Sequence, residues 1–275
     1  MKDSNLAFIG GGNMARSLIG GLLADGVMAT RLWVADPNAS TLQNIQKDFA
    51  VHTTSDNSEA ASHAQVIVLA VKPQLAKTVV QELAPVIRSN RPLMISIAAG
   101  IRESDLRLWL DKHTAIVRTM PNTPALVRSG ATALFANSAV SKEQKNLAES
   151  ILRAVGMTLW VDNEDLMDAV TALSGSGPAY FFLIMEALES AGEHLGLPRD
   201  TARLLTLQTA FGAAKMALES TEDLAELRQR VTSPGGTTER AIQVLRNHHL
   251  KTAFEEALLA AHQRSVELAK IFGGS

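Results

Sequence analysis

The sequence contains no cysteine, and it has only one tyrosine and three tryptophans among its 275 residues. Without cysteine, the chain can form neither a disulfide framework nor a thiolate or zinc-thiolate site. Its 26 basic and 28 acidic residues nearly balance, to a formal net charge of -2. This near-neutral charge and the few aromatic side chains argue against nucleic acid as a partner.

The sequence also lacks a long apolar run. No stretch reaches the roughly 18 apolar residues of a membrane span, and residues 1–5 are mostly polar. We therefore predict no membrane segment and expect the cytoplasm as the compartment. A hydrophobic content of 46% with 20% charged residues is that of a globular enzyme with one large domain or two domains.

A short apolar run near the start leads directly into a glycine cluster. Residues 6–9 predict a strand, and the helical spacing of Met14, Leu18 and Leu22 predicts a helix behind the glycines. A strand, a glycine turn and a helix in this order are typical of the phosphate-binding turn of a dinucleotide fold, although an ordinary glycine turn is the alternative. The turn comprises Gly10, Gly11, Gly12, Asn13, Met14 and Ala15.

An acidic residue follows the second predicted strand, residues 31–35, where a dinucleotide fold contacts the ribose. This residue is Asp36, and an acid here favours a free ribose 2′-hydroxyl over a 2′-phosphate. The alternative is that Asp36 is only a turn residue before Pro37.

Further strands alternate with helices as far as residue 161. The continuous apolar run at residues 65–71 predicts a strand buried on both faces, and residues 93–98, 115–119, 131–136 and 157–161 predict four more. The fold class predicted is α/β, with a doubly wound parallel sheet. Because ligands lie beyond the carboxyl ends of such strands, Ala70, Val71, Lys72 and Pro73 are predicted to line the crevice, although Lys72 could simply be solvated.

The composition changes near residue 164, where β-branched runs give way to long helical patterns. We place the domain boundary here and predict a dinucleotide-binding domain at residues 1–163 and a helical domain at residues 164–275. Residues 178–188 carry a single charge, Glu186, so this helix must be buried. A domain of about 110 residues can hardly surround it, and we expect a second subunit to cover it.

Two turns rich in glycine and serine interrupt the helical half, at residues 173–178 and 232–238. Free N–H groups before a helix suit a small carboxylate at the second turn, although a plain capped turn is the alternative. Neither turn contains a His, Asp or Glu, and no Ser-His-Asp order or metal-ligand spacing occurs. An enzyme with a nicotinamide cofactor needs few catalytic side chains of its own, because the cofactor carries the hydride.

Six segments together resemble the pyrroline-5-carboxylate reductases, the last enzymes of proline biosynthesis, over essentially the full length. They are Phe8-Ile-Gly-Gly-Gly-Asn-Met-Ala15, Ala70-Val-Lys-Pro73, Ser96-Ile-Ala-Ala-Gly100, Met120-Pro-Asn-Thr-Pro124, Leu173-Ser-Gly-Ser-Gly-Pro-Ala-Tyr180 and Thr232-Ser-Pro-Gly-Gly-Thr-Thr238.

The resemblance implies an N-terminal Rossmann domain and a helical domain that interleaves with a partner, giving homodimers that form decamers in many members. It implies that NADPH or NADH is held by the residues of the first glycine turn and by Asp36, Asn57, Ala70, Val71, Lys72, Pro73, Ala98, Ala99 and Gly100. Many members prefer NADPH and have small or basic residues where this chain has Asp36, so the choice of cofactor stays open.

For the substrate, a cyclic imine carboxylate, the resemblance implies a site formed by Pro121, Asn122, Ser174, Gly175, Ser176, Gly177, Ser233, Gly235, Gly236, Thr237 and Thr238. We expect the substrate carboxylate on the N–H groups of residues 235–238, and the hydroxyl of Thr238, the predicted catalytic residue, against the ring nitrogen. This assignment rests on the lack of an acid in the glycine-rich segments.

Two other functions also fit a Rossmann domain joined to helices. A β-hydroxyacid dehydrogenase would place a catalytic Lys, with an Asn nearby, on the helix after its glycine-rich turn, and residues 179–188 contain neither. A dinucleotide-sensing regulator would not turn over a cyclic imine, and the hydroxyl-rich second turn disfavours it.

Overall fold

The computed structural model describes residues 3–273. The outer limits of the two predicted domains, residues 1, 2, 274 and 275, lie outside the described residues. The strands are β1 Leu6–Ile9, β2 Leu32–Ala35, β3 His52–Thr54, β4 Val66–Leu69, β5 Leu93–Ser96, β6 Ile116–Met120, β7 Gly130–Ala136 and β8 Gly156–Trp160. The helices are α1 Asn13–Ala24, α2 Ala39–Phe49, α3 Asn57–Ser62, α4 Pro73–Asn90, α5 Glu103–Trp109, α6 Lys142–Arg153, α7 Leu166–Val170, α8 Gly177–His194, α9 Arg199–Glu219, α10 Leu224–Arg230, α11 Thr237–Asn247 and α12 Leu250–Gly273.

The strands form one sheet in the order β3-β2-β1-β4-β5-β6-β7-β8. The first six strands are parallel, which confirms the predicted doubly wound α/β sheet. We expected β7 and β8 to extend a parallel sheet, and they do extend it, but β7 runs antiparallel to β6. Strand β8 is parallel to β7, so these last two strands both oppose the other six.

Side chains of alternate strand residues fill two cores, one on each face of the sheet. Phe8 and Val68 belong to the core that contains residues of α1, α2 and α6. Ile9 and Ile67 belong to the core that contains residues of α3, α4 and α5. All four residues of β4 are buried, as expected for a strand covered on both faces.

The chain divides into two compact units. The first contains the chain up to Ser176 together with the chain from Ala261, and the second is Gly177–Ala260. This division differs from the predicted domains, because residues 164–176 and the last helical turns belong to the first unit. The domain boundary after residue 163 therefore stays a prediction.

The end of α12 packs within the first unit. The hydroxyl of Ser265 donates a hydrogen bond to Oδ1 of Asp168 at 2.6 Å, and both side chains are buried. Gly100, which has a φ of +74°, faces Phe272, whose ring lies 3.5 Å from the position of an added Cβ. The first unit is thus built from two separate stretches of the chain.

The second unit is helical, and its α8 and α9 form a hairpin. The chain reverses at Gly196, whose φ of +96° is a left-handed conformation that favours glycine. Within the hairpin, Gly192 approaches Ala202 so closely that an added Cβ would lie 3.3 Å from the Cβ of Ala202. Small residues at this crossing let the two helices pack tightly.

Helix α8 exposes the apolar face that we expected to be buried. Phe181, Phe182 and Leu183 are 63%, 65% and 66% exposed in the single chain. An exposed face of several large apolar residues is typical of an interaction surface. Among residues 3–273, no helix is long and apolar enough to cross a bilayer.

Replacing Leu183 with Asp should disrupt assembly without damaging the core of a single subunit, because Leu183 is exposed in that subunit. A desolvated, unpaired carboxylate in an apolar interface is costly. We expect light scattering to show a lower molar mass or aggregation. The matched control is Leu108→Asp, which changes a leucine on α5 that is 79% exposed. An unchanged mass and Tm for Leu183→Asp would contradict the interface.

Candidate active site

The turn after β1 lies directly against the chain that follows β4. Gly10 has a φ of +102°, and a Cβ added to it would lie 2.6 Å from the carbonyl oxygen of Ala70. Its N–H donates to the carbonyl oxygen of Ala35 at 2.8 Å, and the N–H of Ala70 donates to that of Ile9 at 2.8 Å. Position 10 therefore requires a glycine, both because its φ is positive and because there is no space for a Cβ.

The start of α1 is open in the way that a pyrophosphate needs. Gly12 is the N-cap of α1 and has no side-chain cap, and a Cβ added to it would meet no atom within 4 Å. Asn13 is exposed beside it, and Ala15 is fully buried against the sheet. The first N–H groups of a helix lack intrahelical acceptors and favour an anion. The residues present therefore fit a dinucleotide.

The carboxylate of Asp36 joins the glycine turn to the end of β2. Its Oδ2 accepts a hydrogen bond from the N–H of Gly11 at 2.8 Å, and its Oδ1 accepts one from the N–H of Asn38 at 2.9 Å. The bond to Asn38 is the one that a turn residue would make, whereas the bond to Gly11 places the carboxylate at the glycine turn. A carboxylate has further lone pairs that can accept a ribose hydroxyl, so that role of Asp36 stays a prediction.

The other predicted cofactor residues follow the carboxyl ends of β3, β4 and β5. These strands run parallel in one sheet, so their carboxyl ends share one edge of it. Asn57 is the first residue of α3, and its neighbour Asp56, rather than Asn57, caps that helix. Lys72 is the exposed N-cap of α4, with Pro73 as its first residue. After β5, Ala98 and Gly100 are buried and Ala99 is exposed.

Two of the three predicted substrate segments meet within the first unit. The amide nitrogen Nδ2 of Asn122 donates to the hydroxyl of Ser174 at 3.2 Å and to its carbonyl oxygen at 3.3 Å. Oδ1 of Asn122 accepts from the N–H of Ala131 at 2.9 Å, which holds the amide in place. Pro121 is buried beside it. An added Cβ on Gly175 would lie 2.5 Å from Cε of Met120, so these segments are in direct contact.

Residues 171–175 form a π-helical turn at this junction, which continues α7. The N–H of Ser176 closes it by donating to the carbonyl oxygen of Thr171 at 2.9 Å. Such turns are rare and are frequent at functional sites. Gly177, the last predicted substrate residue of this segment, is buried and begins α8.

The third predicted segment, residues 232–238, belongs to the second unit. Two of its four expected donors already have acceptors: the N–H of Gly236 donates to the carbonyl oxygen of Ser233 at 3.0 Å, and that of Gly235 donates to Oε2 of Glu239 at 2.7 Å. We expected all four N–H groups to be available to the substrate carboxylate. The two that remain are those of Thr237 and Thr238, the first two residues of α11. The segment itself contains no acid, but Glu239, one residue beyond it, reaches back to it.

A buried ionic cluster around Arg118 was not predicted. Arg118, on β6, is 4% exposed and forms an ion pair with Glu164 at 2.8 Å. Oε1 of Glu164 also accepts from the N–H of Glu103 at 2.6 Å. The sequence does contain a signal for this cluster, which is a single arginine within the mostly apolar run 115–119. A charge in a buried strand requires a partner of opposite charge. The cluster ties β6 to the segment that precedes α7.

The chain is similar to known proteins over nearly its whole length. Family models match twice: one described as "NADP oxidoreductase coenzyme F420-dependent" matches residues 5–100, and one described as "Pyrroline-5-carboxylate reductase dimerisation" matches residues 164–268. A curated pyrroline-5-carboxylate reductase of Pseudomonas aeruginosa is 53% identical over 99% of this chain and 100% of its own length.

The chain belongs to the pyrroline-5-carboxylate reductase family. It is thus an oxidoreductase with a Rossmann-type domain and a dimerisation domain, and that second domain implies a homo-oligomer. The exposed face of α8 lies within the matched dimerisation region.

Two solved structures of this family share the fold. The Coxiella burnetii enzyme has a TM-score of 0.92 and 53% identity, covering 96% of this chain and 98% of that one. The Plasmodium falciparum pyrroline carboxylate reductase, whose structure has NADP bound, has a TM-score of 0.87 and 31% identity, covering 98% of this chain and 99% of that one.

Replacing Asp36 with Ser should raise the preference for NADPH over NADH by about tenfold, because repulsion between the carboxylate and a 2′-phosphate is removed. The readout is the ratio of kcat/KM for the two cofactors. Asp36→Asn is the control for the charge, since it keeps an oxygen acceptor for one of the two backbone N–H groups. If both variants keep the original ratio, Asp36 serves only the turn and the glycine loop.

Proposed function

We propose that the chain catalyses the NAD(P)H-dependent reduction of L-1-pyrroline-5-carboxylate to L-proline, the final step of proline biosynthesis. The observation that carries this proposal is the similarity over the full length to proteins that bear the name of this enzyme. The direct contact between the segments of Asn122 and Ser174 supports it, because two segments distant in sequence come together where the substrate is expected.

The cofactor is proposed to bind along the carboxyl edge of the parallel strands. The open N-terminus of α1 holds the pyrophosphate, and the residues after β4 and β5 line the path to the nicotinamide. A bound nicotinamide dinucleotide supplies the hydride that reduces the imine carbon. Both NADPH and NADH are proposed as usable, with Asp36 as the residue that sets the balance between them.

The substrate carboxylate is proposed to bind the free N–H groups of Thr237 and Thr238 at the start of α11. The positive end of the helix dipole favours the anion there. The Thr238 side chain is half-buried at this position, and we place its hydroxyl against the ring nitrogen of the imine. The hydroxyl donates to the nitrogen of the unprotonated imine, and this hydrogen bond strengthens as the nitrogen gains electron density during reduction.

The carboxylate of Glu239 shapes this loop rather than supplying the proton. Its Oε2 accepts from the N–H of Gly235 at 2.7 Å, and Gly235 has a φ of +73°. This bond holds the tight turn before Thr237 and Thr238, whose N–H groups have no acceptor among residues 3–273. The three glycine-rich segments themselves contain no acid, so the proton is proposed to come from solvent or to be already present on the imine.

The oligomer is proposed to be an interleaved dimer in which a partner covers the exposed face of α8. Five such dimers are proposed to assemble into a decamer. The compartment is proposed to be the cytoplasm. No nucleic-acid partner is proposed, in keeping with the near-neutral charge.

The proposed reaction is tested by steady-state rates of NADPH and NADH oxidation with pyrroline-5-carboxylate, with proline identified as the product. A dinucleotide-sensing regulator would bind the cofactor without turnover. A β-hydroxyacid dehydrogenase would instead oxidise hydroxyacids and leave the imine unreduced. Either result would reject the proposal.

Replacing Thr238 with Ala should lower kcat/KM for the imine by about 30- to 1,000-fold, which corresponds to roughly 2 to 4 kcal/mol for a hydrogen bond that strengthens in the transition state. Cofactor affinity should stay nearly unchanged, because the proposed dinucleotide site lies on other residues. Thr238→Ser keeps the hydroxyl and should recover most of the rate. Wild-type kcat/KM in the alanine variant would remove Thr238 from the chemistry.

A further inference from the structure

A cavity of about 290 Å³ opens at the edge of the sheet opposite the proposed cofactor site. It lies where β5 and β6 begin, since Pro92 directly precedes β5 and Thr114 and Ala115 directly precede β6. The end of α4 and the chain around α6 complete its walls. Its size is near the lower end of the range for small-molecule pockets.

The cavity is lined by cationic groups that have no acidic partner. Arg88 and Arg91, at the end of α4, both line it, and neither forms an ion pair with a carboxylate among residues 3–273. One Arg88 nitrogen donates to the carbonyl oxygen of Leu110 at 3.2 Å, which holds the guanidinium in place and leaves its other N–H groups free. The imidazole of His113 adds another polar group.

One acid lines the cavity, and it is already engaged with the backbone. Oδ1 of Asp111 accepts from the N–H of His113 at 2.7 Å. Gln144 also lines the cavity, and its Oε1 accepts from the N–H of Ser141 at 2.9 Å, which leaves its amide N–H groups as donors. Two arginines against one aspartate give the lining a net positive charge.

A hydroxyl without a partner lies in the wall of the cavity. Thr114 is 7% exposed and lines the cavity, and its Oγ1 is buried without a hydrogen-bond partner among residues 3–273. Buried polar groups are nearly always paired. Because this oxygen is not exposed to the cavity as it stands, it would meet a ligand there only after rotation about χ1 of Thr114.

We propose that this cavity binds a small organic anion through a carboxylate or phosphate group. Guanidinium groups match the geometry of both anions. The Gln144 amide supplies neutral hydrogen bonds, and the Thr114 hydroxyl adds one after rotation about χ1. The apolar side chains of Ile87 and Ala139 accommodate a short carbon skeleton. The site is separate from the crevice after the carboxyl ends of the strands.

The test is a thermal-shift titration of the full chain with inorganic phosphate and, separately, with succinate, at ionic strength held constant by sodium chloride. An anion bound only by the folded state raises Tm in a saturating manner, by roughly 5 to 10 °C at a hundredfold excess over Kd. The anion that gives the saturating rise identifies the preferred group.

Two variants assign that rise to the cavity. Arg91→Asn removes one cation and suits the left-handed backbone at this position, where φ is 47°. Thr114→Val removes the unpaired hydroxyl at nearly constant shape and should leave Tm in anion-free buffer unchanged or higher. Both variants should lose the saturating rise. The matched control, Lys77→Gln, removes an exposed charge from the same helix outside the cavity and should keep it.

Two outcomes would overturn the proposal. One is a rise in Tm that does not saturate and is equal in every variant. The other is a saturating rise that persists in full in Arg91→Asn and Thr114→Val, which would place the anion at the glycine turn instead.

Discussion

The proposed cofactor crevice depends on how closely the chain after β1 approaches the chain after β4. The distance of 2.6 Å between an added Cβ on Gly10 and the Ala70 carbonyl oxygen shows that the two backbones meet without side chains between them. This approach fixes the start of α1 relative to the edge of the sheet. It also brings the N–H of Gly11 to the carboxylate of Asp36, so that the ends of three neighbouring strands are held by one set of contacts.

Much of this first unit could be predicted from the sequence. The apolar run of β4, the glycines after β1 and the helical spacing of α1 are local patterns, and each predicts its element directly. The three-residue β3 was missed because His52, Thr53 and Thr54 show no apolar pattern, and the strand exists through pairing with β2. The direction of β7 was missed as well. The connection from Met120 to Gly130 is too short for the crossover that a parallel pair of strands requires, so the length of this connection was the available signal.

The candidate site was predictable as a set of segments but not as a set of contacts. Asn122 and Ser174 were both expected near the substrate, whereas the bonds between them join residues 52 positions apart and depend on the fold. The same holds for Glu239. Its position after a glycine turn does not reveal that its carboxylate accepts a hydrogen bond from the N–H of Gly235. Buried pairs such as Arg118 and Glu164 are equally hidden, since the partner lies 46 residues away.

The course of α12 affects how the protein is made. Residues from Ala261 onward complete the first unit, with Ser265 bonded to Asp168 and Phe272 facing Gly100. Synthesis proceeds from the N-terminus, and domains commonly fold as they emerge from the ribosome. Here the dinucleotide-type unit lacks one of its parts until residues 261–273 have been translated. Its folding is therefore completed only after the whole of the second unit, with the exposed apolar face of α8, has been synthesised.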